Sequence, residues 1–160
     1  MDERPTIVVG VDGSAGSRAA LRYALDDAVR RGARVRAVTV VVEPEYWAVA
    51  YGMSAPAPLG EMTAGLEKAA RQMVDDVRAE QLGRADVPVE VLALVGRPAT
   101  VLVEQARDAD LLVLGHRGLG GIASTVLGSV GLQCVLHAPG AVTIVRADQR
   151  AEREAVEPRP

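Results

Sequence analysis

The residues best equipped to do chemistry are a set of glycines and the polar groups among them. Residues 115–131 read GHRGLGGIASTVLGSVG, directly after the apolar run Leu111–Leu114. A short buried strand, a glycine-rich loop and a helix start are how α/β proteins hold phosphate. Glycines let backbone come close to an anion, and the free N–H groups of the helix's first turn point at it. Ser129 adds a hydroxyl donor, and Arg117 a guanidinium suited to phosphate oxygens. The same glycines also suit a tight turn that binds nothing. Asp12, in Asp12-Gly13-Ser14 after the first apolar run, can accept from a ribose hydroxyl or an adenine amino group, or help hold Mg²⁺. Equally, Asp-Gly-Ser is good turn chemistry, with Ser14 as helix cap.

Two other phosphate motifs are weighed and set aside. Gly118-x-Gly120-x-x-Ala123 formally fits the dinucleotide fingerprint, which belongs after the first strand with an acidic residue about twenty positions on. Here it follows the fourth strand, and the corresponding region, His137 to Val142, holds no carboxylate. The Gly-Lys-Ser/Thr of a P-loop is absent, the sole lysine being Lys68. No catalytic residue is assigned. His116 lacks a carboxylate or nucleophile placed to work with it and is read as a loop residue facing solvent. Cys134, on an apolar helix face, is read as a small core residue. Tyr46, Trp47 and Tyr51 suit either a lid over a ligand or a hydrophobic plug under a long loop.

The elements that must position these groups alternate along the chain. Thr6–Val11 reads as a strand buried on both faces. A helix to Arg31 follows, with Ala20, Leu21, Ala24, Leu25, Ala28 and Val29 on one face and Gly32 closing it. Val35–Val42 is the second strand, and 44–60, rich in proline, a long irregular connection. A helix over Glu61–Leu82 places Leu66, Ala69, Ala70, Met73 and Val77 inward. Val89–Val95 is the third strand. Pro98 starts a helix to about Arg107 with Val101, Leu102 and Ala106 inward. After the fourth strand and the loop come a helix from Ser129 to about His137, carrying Val130, Cys134 and Val135, and a fifth strand, Val142–Arg146. This alternation predicts an α/β fold, a single-domain doubly wound five-stranded parallel sheet with helices on both faces. The domain spans 1–146, and the charged tail 147–160 is expected to be disordered. Ligands on such sheets sit beyond the carboxyl ends of the strands, where the strand order reverses.

Composition narrows the function classes. Aromatics make up 2% of 160 residues, so the core is built from Val, Leu, Ile and Ala. A net charge of −3 leaves no footprint for nucleic acid or an anionic membrane. No apolar run approaches the roughly 20 residues that span a bilayer. One cysteine and an N-terminus without a signal-peptide core point to a cytoplasmic location.

The spacing Gly115, two residues, Gly118, nine residues, Gly128-Ser129 resembles the ATP-binding signature of the universal stress protein family. Val11-Asp12-Gly13-Ser14, Val-Val-Glu-Pro at the end of the second strand and Gly96-x-Pro98 extend the resemblance over roughly residues 5–146. It implies a Rossmann-like sheet of order 3-2-1-4-5 and a dimeric, stress-associated protein that binds ATP, with Mg²⁺. Little or no hydrolysis is expected, since the sequence offers no lysine at the phosphates and no identifiable water-orienting residue. Matched by motif position, the nucleotide contacts are Gly10, Val11, Asp12, Ser14, Val41, Leu114, Gly115, Arg117, Gly118, Gly128, Ser129 and Val130, Val41 meeting adenine through its backbone. The resemblance also suggests that Ala141–Arg146, an edge strand, pairs with its twin in a homodimer. Two alternatives stay open: a cAMP-binding module using the same pocket, and a nucleotide-independent dimeric interaction protein.

Overall fold

The computed structural model describes residues 4–43, 52, 57–119 and 127–147. Strands β1 (Thr6–Gly10), β2 (Arg34–Val41), β3 (Val89–Val95), β4 (Leu111–Gly115) and β5 (Ala141–Val145) form one parallel sheet, in the order β3-β2-β1-β4-β5. Helices α1 (Ala15–Arg31), α2 (Leu59–Ala79), α3 (Pro98–Gln105) and α4 (Ser129–His137) connect them. The predicted architecture and strand order are those observed.

Alternation along each strand sorts the core into two layers. Ile7 and Val9 of β1, with Val35, Ala37 and Val113, pack under Ala20, Leu21, Ala24 and Leu25 of α1 and Ala70, Val74 and Val77 of α2. Val8, Val38, Leu112 and Leu114 point the other way, onto Leu102 of α3 and Cys134 of α4. Each central strand therefore buries both faces, which is why β1 and β4 read as unbroken apolar runs. Cys134 is fully buried, and burial pushes its thiol up to about 11.

Several residues assigned inward lie outside. Val29 is 49% exposed, because at about 100° per residue it falls beside the buried stripe, while its neighbour Ala28 is almost fully buried. On α2, Leu66 and Ala69 are exposed and the buried stripe is Ala70, Val74 and Val77, so only the C-terminal half of that helix rests on the sheet. Val135 is 49% exposed on the outer side of α4. Helix α3 stops at Gln105, and a 3₁₀ turn, Ala106–Asp108, completes the span expected to reach Arg107.

Ser14 caps α1 by accepting from the Ser17 N–H at 3.1 Å, and Gly32 closes it at φ 63°, a conformation that favours glycine. Where α1 meets α2 lies a buried arginine, Arg84. Its guanidinium donates to both oxygens of Asp26 at 2.8 and 3.0 Å and to Glu80 at 3.3 Å. Glu80 also accepts from Arg18 and Arg22. This pinned junction orients α1, whose first turn forms one rim of the site.

Candidate functional site

The order of the sheet reverses at β1: β2 lies to one side and β4 to the other. Beyond the carboxyl ends of β1 and β4 the described residues leave a cleft of about 780 Å³, within the range of small-molecule pockets. Of the site residues named from the sequence, Gly10, Val11, Asp12, Ser14, Leu114, Gly115, Arg117, Gly118, Gly128, Ser129 and Val130 all line it. Residues 120–126, with Gly120, Gly121 and Ala123, and the aromatic residues Tyr46, Trp47 and Tyr51 lie outside the described residues.

The side chain of Val41 is turned away, so a contact at this position is by backbone, as the resemblance implies. Strand alternation aims Val38 and Val40 at the cleft, Val42 just past the strand joins them, and Val41 is buried on the opposite face. Its carbonyl accepts the Gly96 N–H at 2.9 Å. Pro98 and Leu102 of α3 complete the apolar wall together with Leu114. Of this wall only Leu114 was named from the sequence; Val38, Val40 and Leu102 read as strand or core residues and Pro98 as a helix start, and the period-two pattern of β2 was the available signal.

Each glycine of the loop is glycine for its own reason. A Cβ on Gly115 would stand 2.5 Å from the carbonyl carbon of Gly16, so the end of β4 and the first turn of α1 meet backbone on backbone. A Cβ on Gly118 would stand 2.5 Å from Oδ2 of Asp12. Gly128 is different. Its φ of −67° suits any residue, and an added Cβ would meet only ordinary contacts at 3.6 and 3.7 Å. What a side chain there would occupy is the approach to α4.

That helix has no side-chain cap. Its first internal bond runs from the Leu132 N–H to the Gly128 carbonyl (3.0 Å), which leaves the amides of Ser129, Val130 and Gly131 without intrahelical acceptors at the cleft. The first turn carries no acidic residue, so no side chain of the helix's own first turn offsets the positive end of its dipole. Asp12 lines the same cleft. Oδ1 accepts from the Ser14 amide at 2.9 Å and from the Ser14 hydroxyl, and Oδ2 accepts from the Leu119 amide at 3.2 Å.

His116 does not face solvent freely. It is half-buried, its Nε2 is enclosed without a hydrogen-bond partner among the described residues, and burial and the charges of Arg146 and Arg117 push its pKa down. Its backbone binds two elements: its N–H donates to the Val145 carbonyl at 2.7 Å, and its carbonyl accepts from the Gly128 N–H at 3.0 Å. Nε of Arg117 is also enclosed, with no hydrogen-bond partner among the described residues. The arrangement can hold an anion at the α4 end and an apolar ring against the β2–α3 wall. Among the described residues no group of three or more His, Cys, Asp or Glu forms a metal site, and no helix is long and apolar enough to cross a membrane.

Comparison with known proteins gives the family. The model of the universal stress protein family matches residues 3–146. Universal stress protein Rv1996 of Mycobacterium tuberculosis is 36% identical over 159 residues, covering 92% of this chain and 50% of that protein. Universal stress protein Rv2005c of the same organism is 33% identical over 139 residues, covering 87% and 44%. The chain thus spans about half the length of these curated relatives. Among solved structures, universal stress protein UspA from Lactobacillus plantarum aligns with a TM-score of 0.67 at 27% identity, covering 91% of this chain and all of that one. A universal stress protein crystallised in complex with cAMP aligns at 0.66 and 28% identity, covering 91% and 98%. The chain belongs to the universal stress protein family.

Proposed function

We propose that this chain is an adenine-nucleotide-binding module that takes ATP with Mg²⁺ and acts as a stress-response signalling component. The observation that carries the reading is Gly128: among the described residues neither backbone angle nor packing requires glycine there, and its bareness leaves the first amides of α4, which have no intrahelical acceptors, open to an anion. The residues fit the ligand. Phosphates lie at Ser129, Val130 and Gly131 with Arg117 beside them, and the base lies against Val38, Val40, Pro98 and Leu102. Bound Mg²⁺ supplies charge neutralisation. Asp12 is the lining carboxylate able to face it.

Hydrolysis is not the task we assign. The described lining holds no lysine to set against the phosphates and no second carboxylate to act with Asp12. Output instead passes through a dimer: β5 is an edge strand, and α4, which packs on it through Gly131 and Ile144, carries exposed Leu132, Val135 and Leu136. A second copy across a two-fold axis covers both.

A cAMP reading of the same cleft is favoured by the relative crystallised with that ligand. Calorimetric titration of nucleotide-stripped protein with Mg-ATP, and separately with cAMP, decides. Saturable Mg-ATP binding near one site per chain supports the ATP reading. Binding of cAMP alone replaces it with a cyclic-nucleotide receptor, and silence with both in folded protein leaves a nucleotide-independent interaction protein.

A further inference from the structure

The glycine loop already wraps an anion, and that anion is the protein's own. Both oxygens of Asp12 are engaged, one by the Ser14 amide and hydroxyl, the other by the Leu119 amide. Gly118 has no side chain where Oδ2 lies, since a Cβ there would stand 2.5 Å from it. The loop thus holds the carboxylate in place at the rim of the cleft, and the Leu119 amide is spent on it rather than on a ligand.

The charge balance of the cleft gives this consequence. Among the described lining residues Asp12 is the only carboxylate and Arg117 the only permanent cation, so their formal charges cancel. A metal-free polyphosphate entering here meets dipoles and one guanidinium, and is repelled by a fixed carboxylate. A polyphosphate complexed with a divalent cation arrives with two charges neutralised and gives Asp12 a cation to face. Such ions are commonly held by one or two carboxylates together with substrate phosphates. Among the described residues no group of three or more His, Cys, Asp or Glu gathers at the cleft, and the ion is taken to arrive with the ligand's phosphates.

We propose that Asp12 is a charge-discriminating residue, which makes the cleft take a nucleoside polyphosphate as its divalent-metal complex and reject the metal-free anion. This rests on the nucleotide reading above and adds to it the form of the ligand.

The test is calorimetry of stripped wild type and Asp12→Asn with ATP in Mg²⁺ and with ATP in EDTA. Asparagine keeps an oxygen acceptor for the Ser14 amide and the same turn chemistry. Wild type should prefer Mg-ATP by about tenfold or more, and the variant should narrow that ratio to about twofold, mainly through tighter binding of metal-free ATP. An unchanged ratio in the variant overturns the proposal. So does a wild type indifferent to the metal, or a variant that loses both forms equally, which makes Asp12 an ordinary contact. A wild type that binds neither form overturns the nucleotide reading itself. Mn²⁺-ATP on wild type gives a check independent of the variant's folding: paramagnetic broadening of the Asp12 and Leu119 amides is expected, and its absence in a saturated complex overturns the proposal.

Discussion

The backbone of Gly115 rests on that of Gly16, so that a Cβ on Gly115 would stand 2.5 Å from the Gly16 carbonyl carbon and 2.7 Å from its oxygen. The last residue of β4 therefore lies on the first turn of α1, which brings the loop and Asp12 to one rim. Gly115 shapes the site by packing, whereas Gly128 leaves room in it.

That division separates stability from binding. Gly115→Ala should cost about 1–3 kcal/mol, because the backbone it meets cannot yield as a flexible side chain would. Gly128→Ala should stay within about 1 kcal/mol of wild type, a poorer helix cap being offset by a less flexible unfolded chain. It should nevertheless weaken Mg-ATP binding by about tenfold, since a methyl group then stands before the α4 amides. Urea unfolding and calorimetry on the two variants check this; equal destabilisation by both contradicts it.

Arg117→Gln should lower Mg-ATP affinity by about tenfold, the scale of one charge-assisted hydrogen bond, while sparing the fold. Titration in rising salt should show a shallower loss of affinity in the variant than in wild type.

Acid stability should depend on Glu80. The hydrogen bond from Arg22, opposed by burial and reinforced by Arg18, holds its carboxyl well below the usual range, at about 2. A carboxylate depressed in the folded state contributes stability above its unfolded pKa and loses that contribution as pH falls through the folded value. Wild type should therefore lose stability from about pH 5 down to about pH 2, and Glu80→Gln should flatten that part of the profile while being less stable at neutral pH. Urea midpoints across the range measure it.

Leu136 is 64% exposed on α4. Sedimentation of wild type at micromolar concentration should give twice the chain mass, and Leu136→Glu should shift it toward the monomer and remove the concentration dependence of the unfolding midpoint. A monomeric wild type contradicts the dimer.

The fold was legible because apolar runs and helical periodicity agree with one another throughout the chain, and the strand order followed from the family resemblance. Asp12 and the glycine spacing likewise marked the two sides of the cleft before any coordinates. What escaped was orientation. Val41 and Val40 are chemically alike, and only the phase of β2 tells which faces the cleft. Leu66 and Ala69 fit the α2 stripe by spacing, yet half of that helix extends away from the sheet. His116 looked like a solvent-facing loop residue because its partners, Val145 and Gly128, are brought to it only by the fold.

The most direct test of the central claim is an amide ¹H–¹⁵N spectrum of the stripped protein during Mg-ATP titration. Shifts should concentrate at Asp12, Gly118, Gly128, Ser129 and Val130, around the carboxyl ends of β1 and β4. Saturable shifts gathered instead at the depression of about 410 Å³ lined by Arg36, Glu90 and Asp108, near the amino ends of the strands, would contradict the account, as would a spectrum that does not change.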